Sequence, residues 1–124
     1  MNVNESAENY LETILILSKK HPVVRSVDIA EELGFKKSSV SVAMKNLREK
    51  ENITVTKEGY IYLTESGRAI AEMIYERHEF LTNWLTSLGV DANIAAEDAC
   101  RIEHVISPES FQAIKSYVKL PEAL

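Results

Sequence analysis

Apolar residues recur along most of this chain at the three- and four-residue spacing of amphipathic helices. Helices are predicted over about residues 6–20, 27–33, 38–50, 65–88 and 92–106, and a sixth from residue 108 onward. Ser26 and Thr64 are predicted N-caps, and Gly34 and Gly89 are predicted helix stops, because glycine readily adopts the left-handed conformation at a helix end. Ser107-Pro108 predicts the start of the sixth helix, since Ser caps and Pro fits the first helical position.

Between the third and fourth predicted helices the pattern changes to that of short strands. Residues 53–56 and 60–63 are β-branched and aromatic runs on either side of Lys57-Glu58-Gly59, which predicts a β-hairpin. Helix, helix, tight turn, helix and hairpin is the order of a winged helix-turn-helix, whose third helix enters the DNA major groove. We therefore predict a mainly α fold, with a winged helix-turn-helix DNA-binding domain in residues 1–64. A second, helical domain is predicted in residues 65–124.

The formal net charge of −5 would ordinarily argue against a nucleic-acid partner, but its distribution changes that interpretation. Residues 36–64 hold six Lys/Arg against three Asp/Glu, whereas residues 1–35 hold three against six and residues 65–124 five against ten. The candidate DNA-binding residues in the basic segment are Lys36, Lys37, Ser38, Ser39, Ser41, Lys45, Arg48 and Lys57. On a lone helix such residues are more typical of a solvated face. Together with the glycine turn and the hairpin they favour contact with double-stranded DNA.

The segment Cys100-Arg101-Ile102-Glu103-His104 carries the most specific candidate chemistry. On a helix, positions i, i+3 and i+4 fall within a sector of roughly 100°, so the thiol, carboxylate and imidazole can converge on one point. One sulfur, one oxygen and one nitrogen suit Fe(II), Mn(II), Zn(II) or Co(II) better than Ca²⁺ or Mg²⁺. Each residue alone is more often structural or solvated, and three ligands leave a coordination sphere incomplete. Further ligands are therefore expected elsewhere in the chain.

Several motifs, taken in their order and spacing, resemble the diphtheria toxin repressor and manganese transport regulator family of metal-dependent repressors over about residues 8–117. They are Asn9-Tyr10-Leu11-Glu12, Val27-Asp28-Ile29-Ala30-Glu31-Glu32-Leu33, Leu63-Thr64-Glu65-Ser66-Gly67, Arg77-His78 and Cys100-Arg101-Ile102-Glu103-His104-Val105-Ile106-Ser107. The resemblance implies a homodimer that binds a partly palindromic DNA operator when loaded with Fe(II) or Mn(II), and so represses metal-uptake genes. It also implies a short form of the family, without the C-terminal SH3-like domain of longer members.

The resemblance implies a set of metal ligands: Glu12, His78, Cys100, Glu103 and His104. Asn9 stands where the family usually has Asp or Met, and its neutral amide oxygen is expected to ligate weakly or not at all. Cys100 matches the iron-type members. Thr82 and Ala96 depart from the acidic residue and His that the iron-type ancillary site needs. Fe(II) or Mn(II) is the expected cofactor, with Zn(II) and Co(II) as further candidates in vitro.

Two other classes of function compete with a repressor. An enzyme is not expected: His78-Glu79-Phe80-Leu81-Thr82 begins like a zinc-protease helix but has Thr where the second His is required. A metal-independent winged-helix regulator or a protein interaction module stays open as the alternative. It would bind its partners regardless of chelation.

Cellular setting and assembly follow from the apolar residues and the single cysteine. One Cys and no signal-like N-terminus predict a cytoplasmic protein, and residues 14–17 are too short an apolar run to span a bilayer, so no membrane partner is expected. The fourth and fifth predicted helices carry more apolar residues than one small domain can bury, which predicts a homodimer through them. These residues are Leu81, Trp84, Leu85, Leu88 and Ile94. With the candidate metal ligands they predict that residues 65–124 form a helical dimerisation and metal-binding domain.

Overall fold

The computed structural model describes residues 3–118, with side chains from residue 5 onward. Its elements are α1 (Val3–Lys20), α2 (Ser26–Leu33), α3 (Lys37–Glu49), β1 (Ile53–Val55), β2 (Ile61–Leu63), α4 (Glu65–Ser87), α5 (Ala92–Ile102) and α6 (Pro108–Tyr117). The predicted order of helices and hairpin, and with it the winged helix-turn-helix, is confirmed. Internal contacts divide the chain into two units whose boundary falls between Met73 and Ile74, inside α4. The predicted domain boundary lies earlier, at the start of α4, and stays a prediction.

The first unit is organised around α1, which packs against α2, α3 and β2. Its core consists of apolar side chains that are almost completely buried: Leu11, Ile14, Ile29, Val40 and Ile53. β1 and β2 pair antiparallel, with Ile53 opposite Leu63 and Val55 opposite Ile61. The Ile61 N–H also donates to the Val24 carbonyl oxygen at 2.8 Å, which ties the wing to the segment before α2.

The start of α2 differs from the prediction in one detail. Ser26 is the first helical residue, and Arg25 occupies the N-cap position with extended backbone angles. The Arg25 N–H donates to Asp28 Oδ2 at 2.9 Å. A carboxylate in the first turn thus satisfies the backbone donor that precedes the helix, as in half of a capping box. The end of α2 agrees with the prediction, because Gly34 has a φ of 67°.

The junction between the wing and α4 is unusually close. The Asn52 carbonyl oxygen accepts a hydrogen bond from the Thr64 N–H at 3.1 Å. Thr64 Oγ1 in turn accepts from the Gly67 N–H at 3.2 Å, which confirms Thr64 as the cap of α4. A Cβ atom on Gly67 would lie 1.9 Å from the Asn52 oxygen. Glycine at position 67 therefore allows two backbone segments to approach more closely than any side chain would permit.

The second unit contains the remainder of α4 with α5 and α6. Asp91 Oδ2 accepts from the N–H groups of Asn93 and Ile94 and caps α5. Ser107 Oγ accepts from the Ser110 N–H at 3.1 Å, with Pro108 in the first turn, so the predicted start of α6 is confirmed. An edge-to-face pair between Phe80 and Phe111, with centroids 5.5 Å apart, packs α4 against α6.

The fifth helix ends earlier than predicted, at Ile102 instead of about residue 106. The carbonyl oxygen of Ile102 accepts from both Val105 N–H and Ile106 N–H, at 3.0 and 3.1 Å. That pattern makes a tight turn in place of another helical turn. Glu103 nevertheless keeps right-handed helical angles (φ −57°, ψ −26°), so its side chain continues the helical face. The predicted alignment of residues 100, 103 and 104 survives for this reason.

Candidate metal centre and nucleic-acid interface

The end of α5 brings three different metal-binding side chains together. Ligand atoms of Cys100, Glu103 and His104 all lie within 4.8 Å of one another. The Cys100 residue is exposed, whereas the side chains of Glu103 and His104 are 0% and 3% exposed. A buried carboxylate and imidazole beside an accessible thiol form a donor set that a borderline transition metal can reach from solvent. The residues present thus fit the cation that the sequence predicts.

The Glu103 carboxylate lies between two imidazoles. Its Oε2 is 2.8 Å from His78 Nδ1, and its Oε1 is 3.2 Å from His104 Nε2. His78 lies on α4, 25 positions before Glu103 in the sequence, and its side chain is 29% exposed. Burial of an ionised carboxylate is costly unless opposite charge or hydrogen-bond donors surround it. Protonated imidazoles or a bound cation would both supply that compensation at these atoms.

A buried arginine, Arg77, holds the turn that carries Glu103 and His104. Arg77 Nη1 donates to the carbonyl oxygens of Glu103, at 3.1 Å, and Ile106, at 3.0 Å. Its guanidinium carbon lies 5.4 Å from the ring centroid of Phe111. The residue is only 6% exposed. Arg77 thereby fixes the backbone on both sides of His104, while the next residue, His78, faces the Glu103 carboxylate.

The structural role of Arg77 was not among the predictions, although the residue belongs to one of the motifs. A usable signal was present: Ile74, Arg77 and Leu81 follow helical spacing, and Ile74 and Leu81 are almost completely buried. A charged residue within an apolar stripe needs partners. The partners here are main-chain carbonyls, which carry no signature in an amino-acid sequence.

The two candidate ligands of α1 lie in the first unit. Glu12 is buried, at 6% exposure, and Asn9 is partly buried. The main-chain oxygen of Asn9 accepts from Thr13 Oγ1 at 2.8 Å. Burial of a glutamate at a position that a helical pattern would leave on the surface is consistent with a role beyond solubility.

The candidate DNA-binding side chains are all exposed. All eight, from Lys36 to Lys57, belong to exposed residues, while Val40, Met44 and Leu47 form the buried face of α3. A groove of about 290 Å³ runs beside α3 and is lined by Lys45 and Arg48 together with residues of α2 and β1. The positive charge of the central segment therefore lies on the outer surface of the predicted recognition helix, where phosphates could reach it.

Arg25 adds a positive charge that is absent from the predicted DNA-binding set. Its guanidinium lies 4.9 Å from the ring centroid of Tyr60, and Nη2 donates to Tyr60 Oη at 3.3 Å. The start of α2 is therefore linked to the end of the wing's turn. The i to i+35 spacing of this contact explains why no local pattern indicated it.

The apolar residues predicted to form a dimer interface divide into two groups. Leu81 is 1% exposed, so it belongs to the core of the chain and is not available to a partner. Leu88 and Ile94 are 64% and 53% exposed. Trp84 and Leu85 are partly buried. The apolar surplus at the end of α4 and the start of α5 is thus real but smaller than predicted. None of the described helices combines the length with the apolar composition that a membrane span requires.

Comparison with family models divides the chain into two matched parts. Residues 2–61 match the model described as iron-dependent repressor, N-terminal DNA-binding domain. Residues 64–123 match the model described as iron-dependent repressor, metal-binding and dimerisation domain. The first match contains α1 to α3 and β1 and ends at the first residue of β2, and the second contains the Cys100, Glu103 and His104 cluster.

Individual relatives agree with these matches. The transcriptional regulator MntR of Escherichia coli O6:H1 is 31% identical over 93% of this chain and 74% of its own length. An HTH-type transcriptional regulator of Methanocaldococcus jannaschii is 29% identical over 94% of this chain and 95% of its own. The solved structure of a manganese-dependent transcriptional repressor in complex with manganese has a TM-score of 0.81 at 27% identity. That match covers 89% of this chain and only 51% of the repressor, so the chain spans about half of that protein.

Proposed function

The chain belongs to the iron-dependent repressor family of metal-dependent transcriptional regulators, and on that premise we propose that it is a repressor that binds operator DNA when loaded with Fe(II) or Mn(II). Members of the family are transcriptional repressors and not enzymes, in agreement with the expectation from sequence. The observation that carries the proposal is the buried Glu103 carboxylate, which has an imidazole on either side and the exposed Cys100 thiol within 4.8 Å.

In this proposal the second unit supplies the principal metal ligands. Cys100, Glu103 and His104 would hold one divalent ion, with His78 joining them through the position it already has beside Glu103. Glu12 is proposed as a further ligand from its place in the family motif and from its burial. When bound, the cation would supply positive charge that offsets the cost of the buried carboxylate.

Asn9 and Cys100 bear on the choice of metal. A thiolate favours softer ions, and the amide of Asn9 lacks the anionic oxygen that would favour manganese. The site is therefore proposed to prefer Fe(II), or Zn(II) and Co(II) in vitro, over Mn(II). Control of metal-homeostasis genes is proposed because a repressor whose DNA affinity follows metal concentration is suited to regulate metal supply.

DNA binding is assigned to α3 and the wing of the first unit. The helix N-terminus and its lysines would contact phosphates, while short side chains at its start permit approach to base edges. A homodimer would present two such helices to half-sites about one helical turn apart, roughly 34 Å. Leu88 and Ile94, with Trp84 and Leu85, are the proposed apolar part of the dimer contact.

In this proposal metal shifts the equilibrium between conformations of the protein, because it stabilises the conformation that binds it more tightly.

Metal titration by calorimetry tests the site. The parent and three variants, Cys100→Ala, Asn9→Ala and Asn9→Asp, are titrated anaerobically with Fe(II), Mn(II), Zn(II) and Co(II). Cys100→Ala should weaken binding of the softer ions by at least about a hundredfold, since even outer partners of metal ligands are worth roughly 10- to 100-fold. Asn9→Ala should change little, and Asn9→Asp should strengthen Mn(II) binding.

A matched pair of glutamate variants distinguishes the loss of a metal ligand from the loss of a negative charge elsewhere on the protein. Glu103→Gln should abolish tight binding, whereas Glu97→Gln, at an exposed position within α5, should leave it unchanged. If Cys100→Ala binds every divalent metal as tightly as the parent, the thiol is not a ligand and the proposed site is wrong.

A further inference from the structure

The outer face of α3 carries an exposed aliphatic residue at its centre. Val42 is 61% exposed. With about 100° of rotation per residue, it lies roughly 200° from Val40, so it projects almost directly away from the buried stripe of the helix. The helix neighbours of Val42 at three and four positions on either side are Ser38, Ser39, Lys45 and Asn46, all exposed.

Neither helix propensity nor core packing explains a valine at position 42. A β-branched residue lowers helix propensity, so Val42 does not favour the helix itself. Its exposure means that it contributes little to the core. The two serines toward the helix N-terminus have short side chains, so Val42 is the most prominent apolar group on that part of the surface. The surrounding charge is positive, which favours an anionic partner over an apolar protein surface.

We propose that Val42 is a specificity-determining residue that contacts the C5-methyl group of a thymine in each operator half-site. This inference rests on the proposed binding of DNA through α3. The position that points straight out of a recognition helix meets the floor of the major groove, and the thymine methyl is the one apolar group that base pairs present there. Lys45 and its basic neighbours would hold the phosphates on either side and fix the register.

Thymine-to-uracil replacement tests the contact, because it removes the methyl group and leaves every hydrogen-bonding atom of the base in place. A duplex is first selected from random sequence by metal-loaded parent protein. Uracil then replaces each thymine in turn, symmetrically in both half-sites, and affinity is measured by fluorescence anisotropy. At one position the parent should lose roughly tenfold or more, because each buried methyl is worth about fourfold. Val42→Ala should bind the thymine and uracil duplexes at that position equally.

Tyr117→Ala is the control, since Tyr117 is another exposed apolar residue, 90% exposed, at the end of α6, a helix that carries none of the residues assigned to metal or DNA binding. This variant should show the same loss on uracil replacement as the parent. If the parent selects a duplex but uracil weakens it at no position, or weakens parent and Val42→Ala equally, the inference is overturned while the proposed function stands. If metal-loaded parent selects no duplex at all, the proposed function fails and the inference fails with it.

Discussion

Replacing the buried Arg77 by methionine should destabilise the second unit and weaken metal binding together. Methionine fills most of the space of the aliphatic stem but cannot donate to the carbonyl oxygens of Glu103 and Ile106, which Arg77 Nη1 reaches at 3.1 and 3.0 Å. Leaving a buried acceptor without its donor costs about 1–3 kcal/mol. One buried and one partly buried acceptor lose their donor here. Because the guanidinium no longer has to be desolvated, which offsets part of this cost, the expected loss is about 2–4 kcal/mol.

The control is Arg101, an arginine on α5. Its only described ionic contact is solvent-exposed. Arg101 pairs with Asp98, and the two side chains are 70% and 41% exposed. Arg101→Ala should therefore cost less than about 0.5 kcal/mol. Urea denaturation in the presence of chelator measures both free energies of unfolding. Cobalt titration, followed through the thiolate charge-transfer band, then measures metal affinity.

The metal readout separates positioning of the ligand turn from a general loss of stability. Under conditions where both variants are fully folded, Arg77→Met should bind Co(II) roughly 10- to 100-fold more weakly than the parent, as expected for a group that orients ligands. Arg77→Lys keeps a donor and should recover part of this loss. If Arg77→Met costs no more stability than Arg101→Ala and binds cobalt like the parent, the role assigned to Arg77 is refuted.

Three further expectations follow from the fold and the proposed interface. Gly67→Ala should be destabilising overall, because its Cβ would lie 1.9 Å from the Asn52 oxygen and the cost of this clash should exceed the roughly 1 kcal/mol by which alanine favours a helix over glycine. Denaturation measures the change in the free energy of unfolding, with exposed Arg68→Ala as the control, and a net gain in stability would contradict the prediction. Lys37→Ala and Lys45→Ala should each weaken binding to all DNA sequences and lower the salt slope by roughly one unit for each phosphate that is no longer neutralised; unchanged binding in the double variant would move the DNA surface elsewhere. Sedimentation should find a dimer at micromolar concentration with and without chelator, and Leu88→Glu should shift it toward monomer, whereas a monomeric parent would remove the proposed interface.

The elements that the sequence predicted best are those with strong local signals. Ser107-Pro108 indicated the start of α6, Gly34 the end of α2 and Thr64 the cap of α4, because caps and stops depend on a few adjacent residues. The predicted end of α5 was wrong by about four residues. The turn after Ile102 depends on bonds from Arg77, which is far away in the sequence.

The candidate site likewise contains residues that local spacing could predict and contacts that depend on tertiary packing. Convergence of Cys100, Glu103 and His104 could be predicted from helical spacing alone, and the distances among their ligand atoms agree with it. The contact of His78 with Glu103 depends on packing between two helices, so only resemblance to a family indicated it. The glycine of the Thr64-Glu65-Ser66-Gly67 motif has a physical reason, close approach to Asn52, that only a three-dimensional structure reveals.

Selection of DNA from a random duplex pool, carried out anaerobically in parallel with Fe(II), with Mn(II) and with chelator, tests the central claim most directly. We expect that a partly palindromic sequence, with half-sites about one helical turn apart, is enriched only when metal is present. Glu103→Gln should enrich nothing under any of these conditions, since it lacks the buried carboxylate of the metal site. Enrichment of the same sequence by the parent in chelator would contradict metal-dependent repression and identify a metal-independent regulator.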